Sequence, residues 1–192
     1  MTSNTLPSTK SNPKARGFLL GLKVILPSED SASKIYIDGY FGKPFGIKKP
    51  ERKEYREVVE LSLIESLYLV EEGKIEVYDA MGKKLSAEEL RIEASKKIDG
   101  FSYLYDVYKD LRKRGFIVRS GMKFGSDYAV YKLGPGLEHA PYLVHVYRSN
   151  YSIDPVEIVR MGRLSHSVKK KFMFAIDKDG RIEYILFKWF KP

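Results

Sequence analysis

The protein has 192 residues, and its 34 Lys and Arg against 25 Asp and Glu give a formal net charge of +9. An apolar content of 43% is enough for packed cores, and the length allows one large domain or two small ones. The absence of cysteine excludes disulfide frameworks, zinc fingers and thiol nucleophiles, and the basic charge favours a polyanionic partner.

The first residues lack the composition of a folded segment. Residues 1–16 contain few large apolar side chains and predict a disordered tail. The apolar run at residues 17–26 is interrupted by Lys23 and lacks a cleavage site, so it predicts a buried strand rather than a signal peptide. No other segment approaches the roughly 20 apolar residues that span a bilayer. We therefore expect a cytoplasmic protein with no membrane partner.

The spacing of apolar residues divides residues 34–79 into predicted strands and a helix. Residues 34–38 (KIYID) predict a second strand, and a loop rich in Gly and Lys follows at residues 39–53. Apolar residues at helical spacing predict a helix over residues 54–72, which Gly73 ends. Residues 74–79 (KIEVYD) alternate and predict a further strand.

A capping pattern and a new amphipathic pattern mark the middle of the chain. Ser86 is followed three residues later by Glu89, which predicts the start of a helix. A fresh amphipathic helix begins near Phe101. We therefore predict a small N-terminal mixed α/β domain at residues 17–95 and a C-terminal domain, which carries the candidate catalytic residues discussed below, at residues 96–192.

The C-terminal part reads as a sheet with helices around it. Asp154 followed by Pro155 predicts the start of a helix. Residues 172–176 are apolar at both odd and even positions, as in a central strand buried on both faces. The expected fold class is α/β of the α+β type, with a mixed sheet flanked by helices, an arrangement that also suits restriction-endonuclease-like folds. We predict its strands at residues 116–119, 128–132, 142–147, 172–176 and 181–190.

Three histidines are the candidates for a general acid near neutral pH. His145 lies within a predicted strand, where a satisfied structural histidine is the favoured interpretation. His166 lies among basic residues and is a surface or phosphate-facing candidate. His139 follows the Gly-Pro-Gly of residues 134–136 at the end of a strand, where loops on a rigid scaffold carry function. It is the best-placed catalytic candidate.

Ordered blocks of residues connect these candidates to a known family. The blocks are LRKRG at 111–115, KFGSDY at 123–128, VY at 130–131, EH at 138–139, YLV at 142–144 and RLSHSVKK at 163–170. Together they resemble the catalytic domain of archaeal tRNA-intron endonucleases over residues 101–192. The segment LSLIESLYLV at residues 61–70, with the Gly-Lys that follows, resembles the family's N-terminal domain.

The resemblance implies a catalytic trio. The matching residues are Tyr131, His139 and Lys170, acting as base, acid and electrostatic clamp during attack of the RNA 2′-hydroxyl. The family implies 2′,3′-cyclic phosphate and 5′-hydroxyl products, with no metal and no cofactor. Tyr128 is a nearby alternative on the opposite face of the strand, and the assignment of Lys170 among neighbouring lysines depends on aligning its block.

The tyrosine leaves two roles open. A free tyrosine has a pKa near 10 and is ionised to about one part in a thousand at pH 7. A base at this position therefore needs help from a cation such as Lys170 or from substrate geometry. The alternative is a tyrosine that mainly orients the substrate.

Candidate RNA contacts lie outside the trio. By resemblance, Arg163 stacks on a bulged base, and the alternative is a solvated arginine at a helix end. Lys188 and Trp189 occupy about the place of a second stacking group. Lys43 begins a basic loop at residues 43–53 that contacts phosphates or is merely solvated.

The family also implies an assembly. Its members are tetramers or pseudo-tetramers in which an acidic loop of one subunit enters a basic cleft of another. The corresponding turn at residues 177–181 (DKDGR) contains two basic residues. This departure favours an α2β2 heterotetramer with a paralogous structural subunit over a homotetramer. The expected substrate is precursor tRNA with a bulge-helix-bulge, recognised by shape.

Two rival interpretations remain. A metal-dependent, restriction-like nuclease would use Glu-x-Lys, which occurs at residues 51–53 and 72–74, outside the predicted catalytic domain. A non-catalytic RNA-binding or structural subunit of the same complex explains the charge and fold equally well. The complete trio of Tyr131, His139 and Lys170 argues against this second rival.

Overall fold

The computed structural model describes residues 14–28, 30–178 and 180–187. Within them lie five helices, α1 (Asp30–Gly39), α2 (Leu63–Glu71), α3 (Ala87–Lys97), α4 (Phe101–Lys113) and α5 (Pro155–Ser167). The strands are β1 (Ala15–Leu20), β2 (Lys23–Leu26), β3 (Lys43–Pro44), β4 (Val59–Ser62), β5 (Ile75–Tyr78), β6 (Lys84–Leu85), β7 (Ile117–Ser120), β8 (Tyr128–Tyr131), β9 (Tyr142–Arg148), β10 (Lys171–Lys178) and β11 (Arg181–Phe187). A 3₁₀ turn spans Met122–Phe124.

The strands form two sheets. The first sheet has the order β3-β4-β2-β1-β5-β6, and the second has the order β11-β10-β9-β8-β7. Each contains one parallel pair, β1 with β5 and β9 with β10. The two mixed sheets with five helices confirm the predicted α/β class. We call residues 14–98 the N-terminal half and residues 101–187 the C-terminal half.

The N-terminal end differs from the predicted single strand. Residues 15 and 16, which we assigned to the tail, belong to β1, where Ala15 is buried. The run at 17–26 is a hairpin of β1 and β2, because Gly21 takes a positive φ of 59° and turns the chain. Residues 1–13 lie outside the described part of the chain.

Two further predictions for the N-terminal half are wrong. Residues 34–38 belong to helix α1, because the buried residues Ala32, Ile35 and Tyr36 recur at helical spacing rather than in alternation. The segment at residues 54–72, predicted as one helix, begins instead with strand β4, because residues 59–62 pair with β2. Helix α2 begins only after Ser62, whose side chain forms a capping box with Glu65.

The five-stranded sheet is buried on both faces. Phe172 and Phe174 pack into the cluster beneath α5, whereas Ala175 and Met173 pack into the cluster that contains α4. This confirms the predicted central strand. The helix predicted to follow Asp154 is also confirmed, with the Asp154 side chain accepting from the Val156 amide at 2.8 Å.

Aromatic residues and one arginine join the two halves. Phe41 stacks on Tyr68, which packs edge-on against Tyr108 of α4. Arg112 is buried between them, with its guanidinium 4.1 Å from the Phe41 ring and Nη1 donating to the carbonyl of Gly39 at 2.9 Å. The halves therefore share one continuous core. No helix in the described residues has the length and apolarity needed to cross a membrane.

Candidate active site

The ends of three neighbouring strands meet at one edge of the second sheet. β8 ends at Tyr131, β9 begins at Tyr142 and β10 begins at Lys171. β9 is antiparallel to β8 and parallel to β10, so all three ends lie at the same edge. Neighbouring strands lie about 4.8 Å apart, which sets Tyr131 and Lys170 two strands, or roughly 10 Å, from each other. Tyr131 and Lys170 therefore flank the start of β9.

A short loop carries His139 to this edge. The loop spans residues 132–141, between β8 and β9. The Glu138 carboxylate accepts hydrogen bonds from the amides of Lys132 and, at 2.6 Å, Leu133, which folds the loop back on the end of β8. The His139 side chain is exposed. The histidine is therefore open to a substrate, on a loop whose backbone is anchored beside Tyr131.

Lys170 is tied to the same loop. Its Nζ donates to the carbonyl of Ala140 at 2.9 Å, next to His139. The ammonium also lies 5.2 Å from the centre of the Phe124 ring, and Lys123 approaches that ring to 4.7 Å. Burial, and then the charge of Lys123, lower the pKa of Lys170. Two cations, Lys123 and Lys170, thus lie against the same aromatic ring.

The structure distinguishes Lys170 from its neighbours. The side chains of Lys169 and Lys171 are exposed, whereas that of Lys170 is partly buried. Lys169 adopts a left-handed backbone with φ of 51°, which is rare for a residue other than glycine. The chain turns sharply at Lys169 and directs Lys170 inward.

The two tyrosines of β8 face opposite sides of the sheet, as predicted. Tyr128 is buried, and its hydroxyl donates to the carbonyl of Leu104 in α4 at 2.8 Å. Tyr131 is partly buried on the other face, against the cluster beneath α5. Tyr128 is therefore occupied in the core, and Tyr131 is the tyrosine available at the edge.

The environment of Tyr131 favours its neutral form. Burial is the largest influence and raises the pKa of Tyr131, the charge of Arg119 lowers it, and Glu138 raises it further. The cation that lowers the pKa of Tyr131 is thus Arg119, whereas we had expected help from a cation such as Lys170 or from substrate geometry. The sequence analysis did not single out Arg119. The one indication was its position as a basic residue in the predicted strand at 116–119, which precedes the predicted strand of Tyr131.

Two of the four candidate RNA-contact residues, Lys43 and Arg163, lie in the described part of the chain. Lys43 is exposed on β3 and lines a cleft of about 290 Å³ between the two halves. Lys188 and Trp189 lie outside the described residues. Arg163 is exposed on α5, beside a shallow, largely apolar groove lined by Pro155, Val156, Val159 and Arg160.

The other two histidines occupy different surroundings, His145 within β9 and His166 in the last turn of α5. His145 lies between two carboxylates, with Nδ1 2.9 Å from Asp127 Oδ2 and Nε2 3.7 Å from Glu157 Oε1. The contact with Asp127 lacks the alignment of a hydrogen bond. The two carboxylates support the structural interpretation of His145. His166 is exposed in the last turn of α5.

The Glu-x-Lys segments of the rival interpretation do not form a cluster. Lys53 pairs with Glu51 itself at 3.2 Å, in an exposed loop. Glu72 is exposed at the end of α2. In the part of the chain that the structure describes, no three His, Asp or Glu side chains converge as metal ligands.

Comparison with known proteins agrees with this architecture. Residues 101–184 match the family "tRNA intron endonuclease, catalytic C-terminal domain", and residues 15–91 match "tRNA intron endonuclease, N-terminal domain". A tRNA-splicing endonuclease from Hyperthermus butylicus is 53% identical over 92% of this chain and 99% of its own length. Enzymes of that name from Saccharolobus solfataricus and Saccharolobus islandicus are 48% and 47% identical, each over 92% of this chain and 98% of their own. The chain therefore belongs to the tRNA intron endonuclease family and is an endonuclease.

Proposed function

We propose that this enzyme excises introns from precursor tRNA at bulge-helix-bulge sites by metal-independent transesterification. The RNA 2′-hydroxyl attacks the adjacent phosphorus while the bond to the 5′-oxygen breaks. The products are a 2′,3′-cyclic phosphate and a 5′-hydroxyl, so the reaction consumes no water. Tyr131 takes the proton of the 2′-hydroxyl, His139 gives a proton to the leaving oxygen, and Lys170 stabilises the charge on the phosphorane.

The observation that carries this proposal is the convergence of three strand ends. Tyr131, the loop of His139 and Lys170 meet at one edge although 39 residues separate the first from the last. Partial burial strengthens the attraction between Lys170 and a phosphate, because nearby protein displaces water. The exposed His139 leaves room for RNA. Base, acid and cation are the groups that transesterification requires.

Cleavage of a bulge-helix-bulge RNA in excess EDTA tests the proposal. We expect the wild-type enzyme to cut in EDTA and to leave cyclic-phosphate ends, whereas Tyr131→Phe lowers kcat by about 10²-fold or more because the base is lost. Gel mobility after phosphatase and acid treatment identifies the ends. Tyr103→Phe is the matched control, since Tyr103 lies on α4, away from the strand-end edge.

Any of three results would overturn this mechanism. Cleavage that EDTA abolishes and Mg²⁺ restores supports the metal-dependent rival. Full activity of Tyr131→Phe removes the tyrosine from the chemistry. An enzyme inactive in every condition, alone and with any co-purifying partner, supports the non-catalytic subunit.

The assembly we propose is a heterotetramer with a paralogous structural subunit. The turn at residues 177–181, where the family carries acidic residues, contains Lys178, which pairs with Glu183 of β11 at 2.7 Å. Activity that appears only when the paralogue is co-expressed supports the heterotetramer. Full activity of the chain alone supports the homotetramer.

Lys43 gives a prediction about RNA affinity. We expect Lys43→Ala to weaken RNA binding and to reduce the slope of log K against log salt by about one, because one phosphate contact is lost. kcat at saturating RNA stays unchanged, since the residue lies outside the trio. Filter binding between 50 and 200 mM salt, with exposed Lys96→Ala as the control, measures the slope. An unchanged slope removes Lys43 from the interface.

A further inference from the structure

The N-terminal half touches the loop that carries His139. Gly134 of this loop has a φ of 122°, and a methyl group there would lie 2.5 Å from Cε2 of Tyr40 and 3.1 Å from Cδ1 of Ile117. The Tyr40 ring therefore packs directly on the Gly134 backbone. Since the same short loop ends at His139, a residue of the other half supports the loop near the proposed acid.

Tyr40 is itself held firmly. Its side chain is 1% exposed, and its ring packs edge-on against Tyr36 at 5.5 Å. The backbone of Tyr40 is left-handed with φ of 55°, which is uncommon outside glycine and persists only where surrounding contacts impose it. One such contact comes from the C-terminal half, because Nη1 of Arg119 donates to the Tyr40 carbonyl.

Arg119 also lies beside Tyr131. In the β7–β8 pair, Arg119 stands opposite Ala129, and Ile117 stands opposite Tyr131. Opposed residues share a face of the sheet, and so do residues two apart along a strand. Arg119 and Tyr131 are therefore diagonal neighbours on one face, at a separation that long side chains bridge. The same guanidinium contacts the buried Glu65 at 3.1 Å.

We propose that Arg119 and Tyr40 are positioning residues for RNA cleavage. Tyr40 packs against the loop of His139 at Gly134. Arg119 links the Tyr40 backbone to the β7–β8 pair, which contains Tyr131. Arg119 also places a positive charge beside Tyr131. The N-terminal half thereby sets the geometry of the acid and the charge near the base. This inference rests on the proposed roles of Tyr131 and His139.

The Tyr40 contact is tested by two matched substitutions. Tyr40→Leu removes the ring atoms that touch Gly134, while Tyr105→Leu removes an equally buried tyrosine ring that stacks on Phe101 of α4 instead. We expect kcat to fall about 10²-fold in Tyr40→Leu alone, since a displacement of about 1 Å costs that much, with KM for RNA unchanged. Equal kcat values in the two variants at matched melting temperature would overturn this role.

The Arg119 charge is tested by the pH dependence of kcat. A tyrosine base ordinarily titrates at higher pH than a histidine acid, so the alkaline limb of the profile reports the tyrosine. Between the two limbs kcat is constant, and this plateau value of kcat falls as the pKa of the tyrosine rises, because less of the tyrosine is ionised. We expect Arg119→Gln to lower the plateau several-fold and to move the alkaline limb to higher pH. Arg119→Lys, which keeps the charge, returns the limb toward the wild-type position.

Two further variants keep this test decisive. Arg119→Gln/Glu65→Gln removes both charges of the ion pair, so it avoids a buried unpaired carboxylate and should show the same shift. Tyr131→Phe should lack the alkaline limb. If the alkaline limb persists in Tyr131→Phe, Tyr131 is not the base. If the alkaline limb is lost in Tyr131→Phe but keeps its position in Arg119→Gln, only the proposed role of Arg119 is wrong.

Discussion

Replacing His139 with alanine is expected to lower kcat for RNA cleavage by about 10²- to 10⁴-fold, the usual contribution of a general acid. Without an acid, the 5′-oxygen must leave as an alkoxide, which raises the barrier. RNA affinity should stay close to that of the wild type, because His139 is exposed and most affinity comes from phosphate contacts. Single-turnover cleavage at saturating enzyme measures kcat, and filter binding measures affinity.

A modified substrate separates an acid from a merely structural residue. When sulfur replaces the 5′-bridging oxygen, the leaving group departs as a thiolate and needs no proton. His139→Ala should then cut the sulfur substrate at nearly the wild-type rate. The control is Leu137→Ala, which alters an exposed residue of the same loop. If His139→Ala is equally slow on both substrates, His139 positions the RNA and another group is the acid.

Replacing Glu65 with alanine is expected to destabilise the fold by about 3–5 kcal/mol, since it breaks a buried ion pair and leaves its partners unsatisfied. The Glu65 carboxylate accepts from the amides of Gly42 and Ser62 at 3.0 Å each, from the Ser62 hydroxyl at 2.8 Å and from Arg119 at 3.1 Å. Glu65 thereby joins α2, the loop before β3 and the C-terminal half. Urea unfolding at neutral pH measures the loss.

The control for this prediction is Glu72→Ala, at an exposed position ending the same helix, which should change stability by less than about 0.5 kcal/mol. Equal stability of Glu65→Ala and the wild type would show that the halves do not depend on this carboxylate.

The pH dependence of stability follows from the same group. Burial is the largest influence and raises the pKa of Glu65, but Arg119 and the bonds from Ser62 and Gly42 outweigh it, so the pKa is lowered in the folded protein. Stability from Glu65 is therefore complete above the unfolded pKa and is lost as the pH falls through the folded pKa. In Glu65→Gln, the free energy of unfolding measured in urea should therefore fall less between neutral and acid pH than it does in the wild type.

Local chemistry predicted several elements well. The capping pattern at Ser86 and the proline after Asp154 start helices in the structure, because these signals act within one turn of the chain. The wrong predictions came from short windows. Residues 34–38 alternate when taken alone, and only the longer pattern that includes Ala32 shows the helix. Strand β4 was missed because pairing with β2 outweighs the helical spacing of its apolar residues.

The proposed site divides in the same way. Tyr131, His139 and Lys170 came from resemblance to ordered sequence blocks, and their catalytic roles remain predictions. Their closeness depends on strand order and register, which bring together residues far apart in the chain. The choice between Tyr128 and Tyr131 needed the positions of α4 and α5, since strand alternation says only that the two tyrosines face opposite sides.

The sequence by itself determined the family, the α/β class and the candidate trio, because blocks of adjacent residues and local capping signals carry that information. Only the tertiary structure decided that Arg119 is the cation beside Tyr131 and that Tyr40 supports the loop of His139. Arg119 is separated from Tyr40 by 79 residues and from Glu65 by 54. Contacts between such distant residues leave no periodic or local pattern, and they exist only once the two halves have packed into one core.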